Sequence, residues 1–442
     1  MSSWKEYKLG EIGTIKTGKT PPAKCQNSFS EFTGIPFVTP KDMVGNKWIS
    51  DTERYLTHVG FNEVSNYLVN ENSISVSCIG SDMGKAVLLK NKSVTNQQIN
   101  TLTVSEEHNY EYVYYVLSRM QVFFKSIAGG SATPILNKTD FSNIEILLPD
   151  LDTQNKTVEY LKYLDEKIQL NIQINQTLEQ IAQTIFKSWF IDFDPVHAKA
   201  EALTNGQTAE QATQAAMAVI SGKNMQELHR LQTANPEQYQ QLWEIADAFP
   251  SGVDEEGVPR GWEMTTFGNV SQCFDKKRIP LSKRQREQRA GSIPYYGATS
   301  VMDYVDEAIF DDIYLLIGED GSVLKEDGSP FIQYIWGKAW VNNHAHVLQG
   351  KGSVSTEQLM LFMASTNITA YVTGAVQMKL NQANMNSIPF VKATDRVNEL
   401  FFDLIKDLYA KIRSNTDENR FLVKIREELL PKLLSGEILN GN

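Results

Sequence analysis

Cysteine, long apolar runs and positive charge are all in short supply in this chain, and each shortage narrows what it can be. Three cysteines in 442 residues, Cys25, Cys78 and Cys273, share no paired spacing. That excludes a disulfide framework or a thiolate zinc site and predicts a reducing, cytoplasmic setting. Triplets such as Asn91-Lys-Ser93 then carry no glycan meaning. The longest apolar runs, at 144–148 and 313–317, are far too short to cross a bilayer, so no membrane partner is expected. Met1-Ser-Ser-Trp-Lys-Glu lacks the apolar stretch of a secretory leader. Catalytic patterns are missing too. Nothing matches the Asp/Asn-Pro-Pro-aromatic site of adenine-methylating enzymes, a nuclease carboxylate–lysine cluster or H-E-x-x-H. Lys and Arg number 42 against 53 Asp and Glu, a net charge of −11. Phosphate neutralisation supplies most non-specific affinity for nucleic acid. A free-standing DNA binder therefore needs its cations clustered, or a partner to complete the grip.

What is present is a folded, repetitive chain. Apolar residues make up 41 % and aromatics 10 %, and the length predicts two or three domains. Gly130 precedes Leu136-Asn137 as Gly374 precedes Leu380-Asn381, an offset of 244 residues (136 to 380) that Ile144 and Ile388 share. Upstream the offsets drift: Ile35-Pro36 returns as Ile293-Pro294, and Ile79-Gly80 as Ile317-Gly318. Variable loops thus lead into an element of fixed length. That element is a heptad helix. Leu164, Ile168, Asn171, Asn175, Leu178, Ala182, Ile185 and Trp189 step by three and four residues. Leu408, Ile412, Asn415, Asn419, Leu422, Arg426, Leu429 and Leu433 repeat them 244 residues later (164 to 408). Residues 155–193 contain no Gly or Pro, whereas Pro431 predicts a kink or end in the second copy. The paired Asn171/Asn175 and Asn415/Asn419 are either poorly buried seam positions or register-fixing residues. The repeat favours the second reading, with one pair facing the other across antiparallel helices.

Short β-type runs at 35–39, 73–79, 85–90, 313–317, 331–335 and 345–348 make each head α+β. A helix is expected over 110–125, with Tyr112, Val116, Met120 and Phe123 on one face. The expected order is a first head (1–150), a long helix (151–194), a return segment and linker (195–261), a second head (262–394) and a second long helix (395–437). The fold class is α+β, two pseudo-repeated α/β heads joined by two long helices. The segment 195–250 predicts a pair of polar helices, and Gly/Pro-rich 251–261 a linker.

Gly13-Thr-Ile-Lys-Thr-Gly18-Lys19-Thr20 matches the phosphate-loop pattern letter for letter. Such a loop needs a helix immediately behind it, and Pro21-Pro22 followed by aperiodic sequence argues against one. Backbone contacts to DNA through Lys16, Thr17, Lys19 and Thr20 fit better; Lys41, Lys85, Ser131 and Thr133 are further candidates in this head. In the second head Lys276, Lys277, Arg278, Lys283, Arg284, Gln285, Arg286 and Arg289 form a dense basic stretch. It is either a solvated face or a phosphate grip with amides for base contacts. Asn96, Gln97 and Gln98 align with Asn342, Asn343 and His344, where amides could read adenine. Ser131 and Thr133 lie in a Gly-rich loop whose counterpart carries Gln377 and Lys379. His344 and His346 have no Cys or acidic neighbour at ligand spacing, so no metal is expected.

With the paired heads, the Gly-x5-Leu-Asn elements and the following helices in place, the whole chain resembles the specificity subunits of type I restriction–modification enzymes. Phe186-Lys-Ser-Trp-Phe190-Ile-Asp-Phe-Asp-Pro195 and Leu429-Leu430-Pro431-Lys-Leu-Leu-Ser-Gly436 look like that family's central and closing stretches. The resemblance implies target-recognition domains for heads and an antiparallel coiled coil docking two methyltransferase subunits. It also implies a bipartite double-stranded DNA target and added restriction/motor subunits. No cofactor is expected in this chain; S-adenosylmethionine, ATP and Mg belong to the partners, as does catalysis. Arg426 departs from its counterpart Ala182 and puts the symmetry of the helix pair in question. A related system that methylates and cuts on both sides of its site, and a plain coiled-coil scaffold, remain the alternatives.

Overall fold

The computed structural model describes residues 4–43, 47–80, 83–128, 135–374 and 377–437. The chain forms two compact units, residues 1–170 with 419–442, and residues 171–418.

In the first unit a five-stranded sheet runs in the order Gly13–Thr17, Ile99–Val104, Ile74–Ser77, Ala86–Leu89, Trp48–Ile49. The central Ile74–Ser77 strand is buried on both faces. Its hydroxyls survive there because they are paired across the sheet, Ser73 with Thr103 at 2.8 Å and Ser75 with Thr101 at 2.9 Å. A second sheet joins Ile35–Val38 in parallel to Val94–Thr95. Lys5–Lys8 pairs with Glu145–Leu148, so the head closes on itself just before the long helix starts.

The second unit repeats this plan. Ser271–Cys273, Ala345–Gly350, Tyr314–Gly318 and Ile332–Ile335 form one sheet in that order. Ala290–Tyr296 runs parallel to Lys338–Val341 in the other. Glu263–Thr266 pairs with Pro389–Lys392 at the head's exit. Ile99–Val104 and Ala345–Gly350 occupy the same place, second in order and 246 residues apart (99 to 345).

Several expectations need correction. The helix expected over 110–125 is two, Tyr110–Ser118 and Gln121–Ile127. Tyr112, Val113, Leu117 and Phe124 face the core, while Phe123 is 44 % exposed; the break at Arg119-Met120 rotates the second segment out of the first one's period. The segment 195–250 holds four helices, not two: Asp194–Thr204, Ala209–Ser221, Met225–Ala234 and Pro236–Asp247. Thr208 with Gln211, and Asn224 with Glu227, form capping boxes that start the middle two. The linker packs as well: its Val258 is buried with Phe249 and Trp262, the residues flanking it, in the second unit's core. Pro431 neither ends nor breaks its helix, which continues to Leu434. Leu430 and Leu433 on either side of it are buried in the first head's core and hold the last turn in place.

The two long helices, Leu151–Phe190 and Asp395–Leu434, are 40 residues each, about 60 Å at 1.5 Å per residue. Within each unit they run antiparallel. In the second unit Ala182, Phe186 and Trp189 pack in one core with Phe401, Ile405, Tyr409 and Ile412. In the first, Val158 and Leu161 share a core with Leu430 and Leu433. The central stretch is thus an aromatic plug: Trp189 lies 4.9 Å from Phe249 and Phe190 4.9 Å from Phe401, ring to ring. Leu430 and Leu433, the counterparts of Phe186 and Trp189, do the same for the first unit. Phe193, with φ of 52°, holds the left-handed turn between helices, an unfavourable place for a bulky residue that is secured by packing on Trp262.

The seam asparagines bond across the pair inside each unit. Asn175 donates to the Ile412 carbonyl at 3.2 Å in the second unit, and Asn419 donates to the Ile168 carbonyl at 3.2 Å in the first. These two bonds are counterparts under the 244-residue repeat (175 to 419, 168 to 412). Asn415 donates to Asn175 Oδ1 at 2.9 Å, and Asn171 to Glu418 at 2.8 Å. The Arg426 departure also has its answer. Arg426 bonds Asp165 at 3.0 Å in the first unit, and the counterparts of this pair, Ala182 and Tyr409 (426 and 165 offset by 244), lie buried in one apolar cluster of the second unit. A large cation facing a small acid is replaced by a small residue facing a large ring. The helix packing repeats; its chemistry does not.

Candidate nucleic-acid interface

In each head, loops distant in sequence meet at one end of the main sheet. In the first, Gly18 donates its N–H to the Ile99 carbonyl and Lys19 to the Thr95 carbonyl, at 3.1 and 2.8 Å. A Cβ on Gly18 would stand 2.1 Å from the Thr95 carbonyl oxygen, so glycine is required there. The segment matching a phosphate loop is therefore the strand Gly13–Thr17 followed by a turn pressed on residues 95–98, with no helix behind it before His58 among the described residues. Thr20 donates to Gln97 Oε1 at 2.7 Å, and Asn96 and Gln98 bond each other through side chain and backbone. Cys78 N–H reaches the Gln98 carbonyl and Leu136 N–H the Cys78 carbonyl, at 2.7 and 3.0 Å. Burial pushes the Cys78 thiol up to about 11, which keeps it protonated and inert. Lys19 lies exposed over the Tyr67 ring, and Gln97 and Lys41 are exposed. Lys85 is half-buried, its N–H donating to Ser77 Oγ at 3.0 Å. Lys16 and Thr17 turn inward: Lys16 donates to the Leu68 and Asn66 carbonyls at 2.9 and 3.2 Å, Thr17 to Asn100 at 2.6 Å. They hold the strand in place. Ser131 and Thr133 lie outside the described residues.

The second head assembles the equivalent loops. Glu319 N–H donates to the His344 carbonyl and Leu380 N–H to the Glu319 carbonyl, both at 2.8 Å. His344 N–H caps on Asn342 Oδ1 at 2.8 Å, as Gln98 does on Asn96. Asn343, His344, Gln377 and Lys379 are exposed, whereas Asn342 is buried and sets the turn. His344 pairs with Asp320, and Lys379 with Glu319 at 3.4 Å.

The basic stretch divides in two. Arg278 is inside the head, bonded to Glu319 at 2.8 Å, Asp275 at 3.2 Å and the Ala345 carbonyl at 2.6 Å. Arg286 pairs with Asp303 at 2.9 Å and lies over Tyr295; Arg289 pairs with Asp306 at 3.0 Å and lies over Trp340. Lys276, Lys277, Lys283, Arg284 and Gln285 are exposed, and those four cations make no ion pair among the described residues. Sequence spacing could not separate the two groups, because every acidic partner but Asp275 comes from another strand or loop. It also missed Asp275 and Glu319, which gather with His346 within 4.8 Å. Arg278 and Lys379 supply the cations beside these carboxylates. The repeated Ile-Gly at 79–80 and 317–318 does not mark these acids, and its expected equivalence needs correction: Gly318 faces Ala345 as Ser77 faces Ile99, so Glu319 takes the place of Cys78.

Among the described residues no helix is long and apolar enough to cross a membrane. The family model for the type I restriction modification DNA specificity domain matches residues 1–180 and 259–419, once over each head and most of its long helix. The chain is 30 % identical to the type I restriction enzyme HindI specificity subunit of Haemophilus influenzae, covering 99 % of this chain and 100 % of that protein. It is 25 % identical to the MjaIX specificity subunit of Methanocaldococcus jannaschii over 98 % and 93 % of the two chains. The crystal structure of a type I system S subunit from M. genitalium shares the fold, with a TM-score of 0.53 at 15 % identity over 98 % of this chain and 96 % of that one.

Proposed function

The chain belongs to the type I restriction–modification DNA specificity family, and from that premise we propose that it reads a bipartite, asymmetric double-stranded target, one half with each head. Its long helices seat two methyltransferase subunits, to which restriction/motor subunits add. S-adenosylmethionine, ATP and Mg act in those partners, and this chain performs no catalysis. The observation that carries this reading is the repetition of one loop cluster on one sheet plan. Lys19, Gln97 and Gln98 on the first head stand where Lys277, Asn343 and His344 stand on the second. Cations at the mouth suit phosphates, and short amides suit base edges. The acidic balance of the whole chain is consistent with partners that complete the clamp on DNA.

Long-read mapping of methylated adenines in a host carrying the chain with its partner tests this. A two-part motif is expected, and exchanging residues 1–150 for a relative's head should change one half only. A contiguous motif, or change in both halves, would overturn the two-reader model.

A further inference from the structure

One strand of the second head carries an extra residue, and that residue lies against the 342–344 turn. Ala290–Tyr296 and Val301–Val305 pair antiparallel with Tyr295 opposite Asp303 but Tyr296 opposite Val301, so Met302 is the extra residue of a bulge. A bulge bends its strand and re-aims the side chain it inserts. Met302 is 53 % exposed and lies across Gly297, where a Cβ would stand 2.5 Å from its sulfur. Asn342 donates from Nδ2 to that sulfur at 3.4 Å, while its Oδ1 accepts the His344 N–H at 2.8 Å. One buried amide thus holds Met302 and the turn together. The next residue, Asp303, pairs at 2.9 Å with Arg286 of the helix Lys283–Gln288, which presents Lys283 and Arg284 to solvent. Met302 is an exposed apolar side chain among amides and cations.

The first head is built differently at the equivalent place. Ile35-Pro36 and Ile293-Pro294 lie in matching strands. The Val38 carbonyl accepts the Asn96 N–H at 2.9 Å, as the Tyr296 carbonyl accepts that of Asn342 at 3.1 Å. Beyond Val38 the chain turns through Thr39-Pro40-Lys41-Asp42, the Thr39 N–H and hydroxyl both donating to Asp42 Oδ2 at 2.7 Å. This turn presents Lys41, and Met43 at its end is 2 % exposed. Where one head offers a cation, the other offers a thioether.

The chemistry of the thioether points to what it meets. An unbranched, polarisable methionine side chain adapts to apolar surface and is only a weak hydrogen-bond acceptor. Among base edges in the major groove, the apolar feature is the C5-methyl group of thymine. The side-chain amide of Asn343 in the adjoining turn suits adenine in the same groove, and the partner of adenine is thymine. We propose that Met302 is a specificity-determining residue of the second head, its thioether end packing on the methyl group of one thymine in the half-site that this head reads. The inference rests on the proposed contact of the 342–344 turn with base edges, and it adds an apolar contact to that turn's polar ones.

The test uses the full chain assembled with methyltransferase subunits. Target duplexes carry deoxyuridine in place of each thymine of the second half-site in turn, on either strand, which removes the methyl group and keeps the base pair. For wild type, one replacement should raise KM for methyl transfer about fourfold, the worth of one buried methyl group, at unchanged kcat. Met302→Ala should show the raised KM already on the thymine duplex and no further rise with deoxyuridine at that position, and Met302→Leu should restore the difference. Deoxyuridine in the first half-site should act alike on wild type and Met302→Ala. A wild-type KM indifferent to deoxyuridine throughout the second half-site, a penalty undiminished in Met302→Ala at every position, or a second half-site without thymine would overturn the inference. Asn343→Ala with His344→Ala separates the two levels, since a raised KM supports the base-reading turn whatever Met302 does. An unchanged KM in that pair would overturn both.

Discussion

Replacing Lys276, Lys277, Lys283 and Arg284 by alanine should flatten the salt dependence of DNA binding, whereas replacing Arg286 and Arg289 should not. The structure sets the difference. The first four are exposed and make no ion pair among the described residues, so each is able to displace a counterion from a phosphate. Arg286 and Arg289 are matched by Asp303, Asp306 and Glu307 and covered by Tyr295 and Trp340. On duplex DNA each phosphate neutralised contributes about 0.9 to the slope of log affinity against log salt, so removing four such cations lowers it by up to about 3.6. Raising salt from about 50 to about 200 mM would then weaken wild type about a hundredfold more than the quadruple variant. The assay is a fluorescence-anisotropy titration of target duplex with the assembled complex at four or more salt concentrations. A slope change below about one for the quadruple variant would return the stretch to a solvated surface. An equal change for the paired arginines would refute the division drawn from their ion pairs.

Asp165→Ala should destabilise the first unit by about 2–3 kcal/mol, below the 3–5 of a fully broken buried pair. Lys47 keeps Glu111 at 2.7 Å and Arg426 keeps Glu427 at 3.1 Å. Urea unfolding of the single variant and of Asp165→Ala/Arg426→Ala measures this, and a loss under about 0.5 kcal/mol would contradict it. Arg413→Ala leaves the Glu357 carboxylate, 6 % exposed, with the Tyr334 hydroxyl as its remaining partner, so a fall of several degrees in the unfolding temperature is expected by calorimetry. Because Asp275 is held below its usual value, its contribution is complete above the unfolded value of about 4 and disappears as pH falls through the lower folded one. Asp275→Asn should accordingly make the second unit's acid unfolding shallower in circular dichroism.

Periodicity is local, and whatever depended on it was legible in the sequence. The heptad seam of residues 164–189 and its copy, the alternating strands and the offset of 244 residues between Leu136 and Leu380 all arise from side chains facing one side of an element. Membership of the family was legible as well, through the stretches around Trp189 and Leu430. The internal repeat, with its matching β-type runs, sufficed to predict two heads of like plan. Partnership across the fold was not legible. Whether an arginine of the 276–289 stretch reaches solvent depends on Asp303, Asp306 and Glu319, which arrive from other elements. Lys16 was read as a phosphate contact, yet its ammonium is satisfied by carbonyls some fifty residues away. The phosphate-loop spelling of Gly13–Thr20 was legible as letters only, because strand pairing, not spelling, decides the path of the chain beyond Gly18. The exchange of Arg426–Asp165 in one unit for Ala182–Tyr409 in the other was visible as a mismatch at one position. Its compensation needed both helices packed. A sequence determines which faces are apolar and where elements start, since these rest on near neighbours. Tertiary structure alone decides which charge meets which, because that pairing is made between residues whose separation along the chain carries no energy.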